Sequence, residues 1–108
     1  MSIARVLVSA PLAAPLDYRI GAEHAGVQPG SLCAVPLGRR RVAGIVAGLA
    51  GQSEWPAERL RTLDSVRAGI EPVSAHWLEL TRFAAEYYQQ PWGELAIAAL
   101  PPLLRAPP

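Results

Sequence analysis

Short runs of branched apolar residues separated by turn signals fill the first two-thirds of the chain, and helical spacing takes over after Gly69. Ile3 to Ser9 (IARVLVS) is short and rich in branched side chains, which predicts a strand. Pro11 and Pro15 end it, each pushing the preceding residue towards extended geometry. Leu16 to Ile20 (LDYRI) alternates, with Leu16, Tyr18 and Ile20 on one face and Asp17 and Arg19 on the other. With the first set facing a core, Asp17 points to solvent or into a groove. Residues 21–30 read as a glycine-containing loop. Ser31 to Val35 (SLCAV) is a short apolar strand that Pro36 should stop, and Arg41 to Leu49 (RVAGIVAGL) is a longer one. Gly44 and Gly48 inside that strand mark a bulge, a bend or the close approach of another backbone. Residues 51–56 form a turn, Glu58 to Leu60 a helical turn, and Arg61 to Val66 (RTLDSV) a last alternating strand.

Beyond Gly69, Ser74 is a good N-cap for a run of helical spacing through Gln90. Trp77, Leu80, Ala84 and Tyr87 or Tyr88 fall on one stripe, read as core, with Glu79, Arg82 and Glu86 elsewhere. Pro91 ends this helix and Gly93 follows; Glu94 to Leu100 (ELAIAAL) predicts a second short helix, stopped by Pro101 and Pro102. The closing LLRAPP reads as an exit into a following segment. The expected fold is therefore mainly β with a C-terminal helical part. A small curled antiparallel sheet or OB-like barrel over residues 1–67 is followed by two short helices within residues 68–108.

Composition narrows the possibilities. At 108 residues the chain can bury one modest core, and an apolar fraction of 51% argues against disorder. Eleven prolines and nine glycines fit short elements and many turns. The one cysteine, Cys33, sits in an apolar run and reads as a small core residue. His24 and His76 lie far apart and read as ordinary surface or helix-start residues. No apolar run approaches the roughly 20 residues a membrane span needs, and no secretion signal opens the chain, so the expectation is cytoplasmic and soluble. There is no lysine-terminated glycine loop for phosphate, no cysteine–histidine metal spacing and no serine–histidine–acid set, so neither catalytic nor metal residues are expected.

Net charge is only +1, but its distribution is uneven. Residues 1–67 carry eight arginines against five acids, and residues 68–108 two against four. The candidate chemistry lies in the basic half. PLAAPLDY (11–18) delivers the carboxylate of Asp17 beside Tyr18, and VPLGRRR (35–41) brings Gly38 and three arginines at a turn. An interior nucleotide is a poor partner for a carboxylate, because its flanking phosphates repel it. A strand end differs: a terminal hydroxyl is a donor, as are the amino and imino groups of base edges. Gly38 lets backbone approach a sugar or base, and Arg39 and Arg40 can position phosphates without reading sequence.

The ordered set of PLDY, VPLGRR, GIV (44–46), EWP (54–56), AAEYYQQPWGE (84–94) and ALP (99–101) resembles the N-terminal 3′-DNA-binding domain of the PriA family of primosomal replication-restart helicases (primosomal protein N′). The resemblance covers the first strand to Leu104. It implies a domain that binds the 3′ end of the nascent leading strand at a stalled fork without needing a particular base. By position, the implied DNA-binding residues are Leu16, Asp17, Tyr18, Leu37, Gly38, Arg39, Arg40 and Arg61. In that family the domain precedes a winged helix, two helicase lobes and a zinc-binding insert. ATP, magnesium and zinc, and the 3′–5′ helicase activity, are thus implied only for parts not present here. The implied partners are DNA with a free 3′ end, the helicase core of the same polypeptide and other primosome proteins, in the bacterial cytoplasm near the nucleoid. Two departures stand out: Leu16 replaces a frequent phenylalanine, and Arg61 a frequent lysine. Two other readings stay open. One is a protein-docking domain whose helical part packs on helicase lobes; the other is a generic barrel binding single strands along their length. The barrel half offers only Tyr18 and Trp55 as stacking faces, few for the latter.

Overall fold

The two longest apolar runs of the N-terminal half pair at the centre of a sheet. In the computed structural model, which describes residues 2–107, β1 (Ile3–Val8) lies antiparallel to β4 (Arg40–Ala50). β2 (Leu16–Arg19) flanks β1, while β3 (Leu32–Leu37) and the two-residue β5 (Ser65–Val66) flank β4, giving the order β2-β1-β4-β3-β5. Every strand pair in this sheet is antiparallel. Alternation gives the sheet two apolar faces. Ala4, Val6, Val8, Tyr18, Cys33, Val35 and Val46 pack on the inner one. Leu7, Leu32 and Ile45 point the other way, towards the helices.

Both strand glycines act as the spacing implied. Arg5 pairs with Gly48 and Val6 with Val46, so Ala47 is an extra residue and the ladder bulges there. A Cβ on Gly44 would lie 2.5 Å from Val6 Cγ1, so β1 and β4 pack closely only because it is absent. Pro36, however, does not stop its strand. Backbone groups of alternate strand residues point to the same side, and Leu32 and Ala34 both accept from the β5 segment, through Arg67 and Asp64 N–H. Pro36 shares that side but lies beyond the end of β5, so its missing N–H forfeits no ladder bond. β3 therefore runs on to Leu37 and returns through Gly38–Arg39, with Leu37 opposite Arg40. Gly38 has φ +61° and Arg39 does not enter the positive-φ region, the pattern of a type II′ hairpin.

The sheet curls without closing into a barrel. Its outer strands meet through residues 61–66. Arg19 N–H donates to Arg61 O and Arg19 O accepts from Leu63 N–H around the parallel bridge Arg19–Thr62, and the same segment then pairs with β3 as β5. A single bridge rather than a ladder joins β2 to that segment. A curled antiparallel sheet followed by two helices is nevertheless the β+α arrangement that the periodicity predicts.

α1 (Ala75–Tyr87) starts where expected, with Ser74 Oγ accepting from Trp77 N–H at 3.0 Å. It ends sooner than Pro91 requires, because Gln89 takes φ +53° and Gln90 N–H reaches Ala85 O at 2.9 Å. This is a Schellman ending with glutamine where glycine is usual. α2 (Trp92–Ala98) accordingly begins two residues before the predicted start. Its Gly93 sits against β1, where a Cβ would lie 2.1 Å from Val8 O. No helix among the described residues is long and apolar enough to cross a membrane.

The expected helix stripe is not the buried one. α1 buries Leu78, Thr81 and Ala85, with Trp77 packed at the margin, whereas Leu80, Phe83, Tyr87 and Tyr88 are exposed. Thr81 holds a core position because its hydroxyl accepts from Trp92 Nε1 at 3.0 Å and donates to Leu78 O. A satisfied threonine thus replaces an apolar residue at the centre of the stripe and displaces the apparent hydrophobic face.

Tyr18 ties the inner face together. The ring is 4% exposed, and its hydroxyl donates at 2.6 Å to Pro36 O, the carbonyl beyond the reach of β5. Burial raises the Tyr18 phenol above its ordinary 10.0, opposed by the Arg61 guanidinium and aided by Cys33. Burial likewise lifts Cys33 from 9.0 to about 12. Both folded values exceed the unfolded ones, so the native state holds protons that the unfolded chain releases. Their stabilisation is complete below pH 9 and is lost as pH rises, for Cys33 through about 12. Urea midpoints should therefore fall above pH 9, and Tyr18→Phe should flatten the part of that fall above pH 10. At neutral pH the same variant should lose about 1–3 kcal/mol by leaving the Pro36 carbonyl unpaired.

Candidate nucleic-acid interface

β2 is an outer strand, and its exposed edge forms a groove with the segment 55–61. The groove encloses about 260 Å³ between Leu16, Asp17 and Tyr18 on one side and Trp55, Arg59, Leu60 and Arg61 on the other. Arg19 holds the two sides together. Its guanidinium donates to Ala57 O, at the start of the helical turn Ala57–Arg59, and its backbone N–H donates to Arg61 O at 2.9 Å. Leu60 and Leu63 are buried under this segment and anchor it.

The carboxylate and the aromatic that adjoin in sequence point to opposite faces. Tyr18 turns inward, while Asp17 pairs across the ladder with Arg5 and keeps a side-chain exposure of 15%. Asp17 Oδ2 accepts from the Ser53 hydroxyl at 2.5 Å, and Oδ1 lies 4.0 Å from Arg5 Nε. Ser53 Oγ in turn accepts from Trp55 N–H at 3.1 Å, so one hydroxyl links the carboxylate to the tryptophan backbone. The Arg5 contact is long and its side chain half exposed, so it is a weak pair. A carboxylate has about four acceptor sites, and these contacts leave Asp17 capacity for a further donor.

The second motif reaches the groove through hydrogen bonds rather than by lining it. Arg61 Nη1 donates to Gly38 O at 2.6 Å, and Tyr18 holds Pro36 O, so both groove residues grip the β3–β4 hairpin. Leu37 packs on the inner core. Arg39 and Arg40 stand exposed on the turn, without an ion-pair partner among the described residues. Arg41 differs from them: it pairs with Asp64 and donates to Ser65 Oγ at 3.0 Å, fastening the hairpin base to β5. Thus Leu16, Asp17, Tyr18 and Arg61 come together directly. Gly38 joins them through Arg61, whereas Leu37, Arg39 and Arg40 do not line the groove.

Two contributors escaped the sequence reading, Ser53 and Arg59, and Trp55 entered it only as one of two stacking faces of the barrel half. Trp55 lies in the EWP run and is 57% exposed, a signal visible in the sequence only as an aromatic within a turn. A larger cleft of about 560 Å³ lies between the helices and the β1–β4 pair, but none of the DNA-binding residues that the resemblance implies lines it. Among the described residues no group of three or more histidine, cysteine or acidic side chains is arranged for a metal.

A family model described as the 3′ DNA-binding domain (3′BD) of PriA matches residues 5–101. The chain belongs to this PriA 3′ DNA-binding domain family. The Haemophilus influenzae replication restart protein PriA is 31% identical over 108 residues, an alignment covering 97% of this chain and 14% of that protein. The chain thus spans about a seventh of the curated relative it matches. The groove on β2 combines basic groups, an aromatic face and one carboxylate in a small volume.

Proposed function

We propose that this chain holds the 3′ end of the nascent leading strand at a stalled fork, as the DNA-binding part of a PriA-type replication restart protein in the bacterial cytoplasm. It needs no cofactor and catalyses nothing itself; ATP-driven unwinding belongs to other parts of such a protein. The observation that carries this reading is the placement of Asp17. A largely buried carboxylate lies inside a groove whose other charged residues are arginines, and Ser53 orients it. Phosphates alone would be served better by the arginines without it. A terminal hydroxyl or a base-edge amino group supplies the donor that a carboxylate accepts.

Arg39, Arg40, Arg59 and Arg61 contact phosphates in this reading and position the strand without reading it. Binding that needs no particular base requires the groove arginines to meet phosphates rather than base edges, since arginine and aspartate can both read a base edge. Few phosphate contacts mean weak, salt-sensitive binding by the isolated chain.

A charged hydrogen bond to Asp17 is worth roughly 1.5–3 kcal/mol. A phosphate on the terminal hydroxyl replaces that donor with negative charge, so affinity should fall about tenfold or more. Asp17→Asn keeps an acceptor for Ser53 and should lose most of this preference while keeping the fold. Titrations of both proteins with 3′-hydroxyl and 3′-phosphate oligonucleotides at one salt concentration test it; equal wild-type affinity for the two ends refutes the reading.

The arginines give an independent check. Replacing Arg39, Arg40 or Arg61 by alanine should weaken binding to all sequences alike and flatten the salt dependence by about one unit each. Unchanged affinity and slope would make them merely solvated.

One observation favours a second role for the helical part. Phe83 and Tyr87, 66% and 71% exposed, stack at 6.3 Å, and Tyr88 meets Tyr87 edge-on at 5.0 Å beside exposed Leu80. An exposed apolar cluster of this kind marks a protein contact, here with the helicase core of the same polypeptide or another primosome protein. Phe83→Ser with Tyr87→Ser should leave the isolated chain's DNA affinity and melting temperature unchanged but lower the thermal stability of a full-length PriA-type protein. No change in the latter removes this role.

A further inference from the structure

We propose that Trp55 is the stacking platform for the terminal base of the bound strand. The inference rests on the end-holding reading above and adds the residue that holds the base rather than the hydroxyl. Leu16, on the opposite side of the groove, is aliphatic, and the Tyr18 ring is buried with its hydroxyl bound to Pro36. Neither offers a ring face to a ligand. Trp55 is the one aromatic among the groove residues that is widely exposed, at 57%.

Its placement is built rather than incidental. Trp55 N–H donates to Ser53 Oγ, and the Ser53 hydroxyl donates to Asp17 Oδ2. A single serine therefore sets the spacing between the carboxylate and the indole-bearing backbone. Arg19 fixes the following turn through Ala57 O, which limits how far residue 55 can swing from β2. A terminal nucleotide whose hydroxyl meets Asp17 brings its base into the volume bounded by Trp55, Leu16 and Leu60. A base has a π face whatever its identity, so stacking on an indole adds affinity without sequence preference. The aromatic side of the groove thus comes from the 51–56 turn rather than from β2.

The test is a cycle between protein and DNA. Wild type, Trp55→Ala and Trp55→Phe are titrated with three oligonucleotides: an intact 3′-hydroxyl end, an abasic 3′-terminal nucleotide retaining the hydroxyl, and an intact 3′-phosphate end. Trp55→Ala should weaken binding of the intact end by about five- to a hundredfold, the range for loss of one base–aromatic stack. Trp55→Phe should recover most of that loss. The abasic end should weaken wild type by a similar factor and Trp55→Ala scarcely further. Because Asp17 is untouched, Trp55→Ala should still prefer hydroxyl to phosphate. Unchanged affinity in Trp55→Ala, or equal losses for the intact and abasic ends, overturns the platform. If wild type ignores the phosphate while the tryptophan–base coupling persists, the platform stands and the end-holding reading alone fails.

Discussion

The hydrogen bond from Tyr18 to the Pro36 carbonyl connects the two motifs on which this fold turns. An outer strand must end its hydrogen-bonding row somewhere, and β5 covers only Cys33 and Ala34 of β3. The next carbonyl on that side, at Pro36, is left facing the interior, and the Tyr18 hydroxyl satisfies it. Because the donor comes from β2 at the far side of the sheet, the bond draws opposite edges towards each other and sustains the curl. Arg61 repeats the device one turn further on, binding Gly38 O from the segment that bridges Arg19. Without these ties the hairpin would be anchored by β4 and the Arg41–Asp64 pair, and the groove would lose a fixed floor.

That arrangement explains why acid and base coexist in so small a site. Asp17 sits on the strand whose next residue is locked inward, so alternation forces its side chain outward onto the groove edge. Ser53 then fixes the carboxylate, and Arg19 and Arg61 fix the wall that faces it. Order at the groove is thus a by-product of core formation: Tyr18, Leu60 and Leu63 are buried for packing, and Asp17, Arg59 and Arg61 are their sequence neighbours.

Much of this was legible in the residues because local signals agreed with the tertiary outcome. The alternation of LDYRI, the glycines of RVAGIVAGL and the Ser74 cap each had one physically cheap solution, and the structure uses it. The misreadings occur where a distant residue overrides a local rule. Pro36 stays in its strand since β5 is too short to need its N–H. Thr81 is buried since Trp92 satisfies its hydroxyl, which moved the apolar stripe one position and left Phe83 and Tyr87 outside. Gln89 ends α1 early by adopting a conformation that its own chemistry does not favour. At the groove, Asp17 and Arg61 were visible as charges. The contributions of Ser53 and Trp55 depend on how a six-residue turn folds back over β2, and no periodicity encodes that.

The sheet divides its labour between its two faces. Helices α1 and α2 cover the outer face through Leu78, Ala96, Ile97 and Leu100, and Gly93 lets α2 press on the end of β1. The inner face is filled by the chain's own core, and β2 is the outer strand with a turn folded over it. The aromatic cluster of α1 belongs to a helix packed on the opposite face of the sheet from the inner core that underlies the groove. Asp17, which points away from Tyr18 and pairs with Arg5, nevertheless lies on the helix side of the sheet. Arg5 of β1 stands between the two, contacting Asp17 on one side and lining, with Arg82 and Glu86 of α1, the cleft beside the helices on the other.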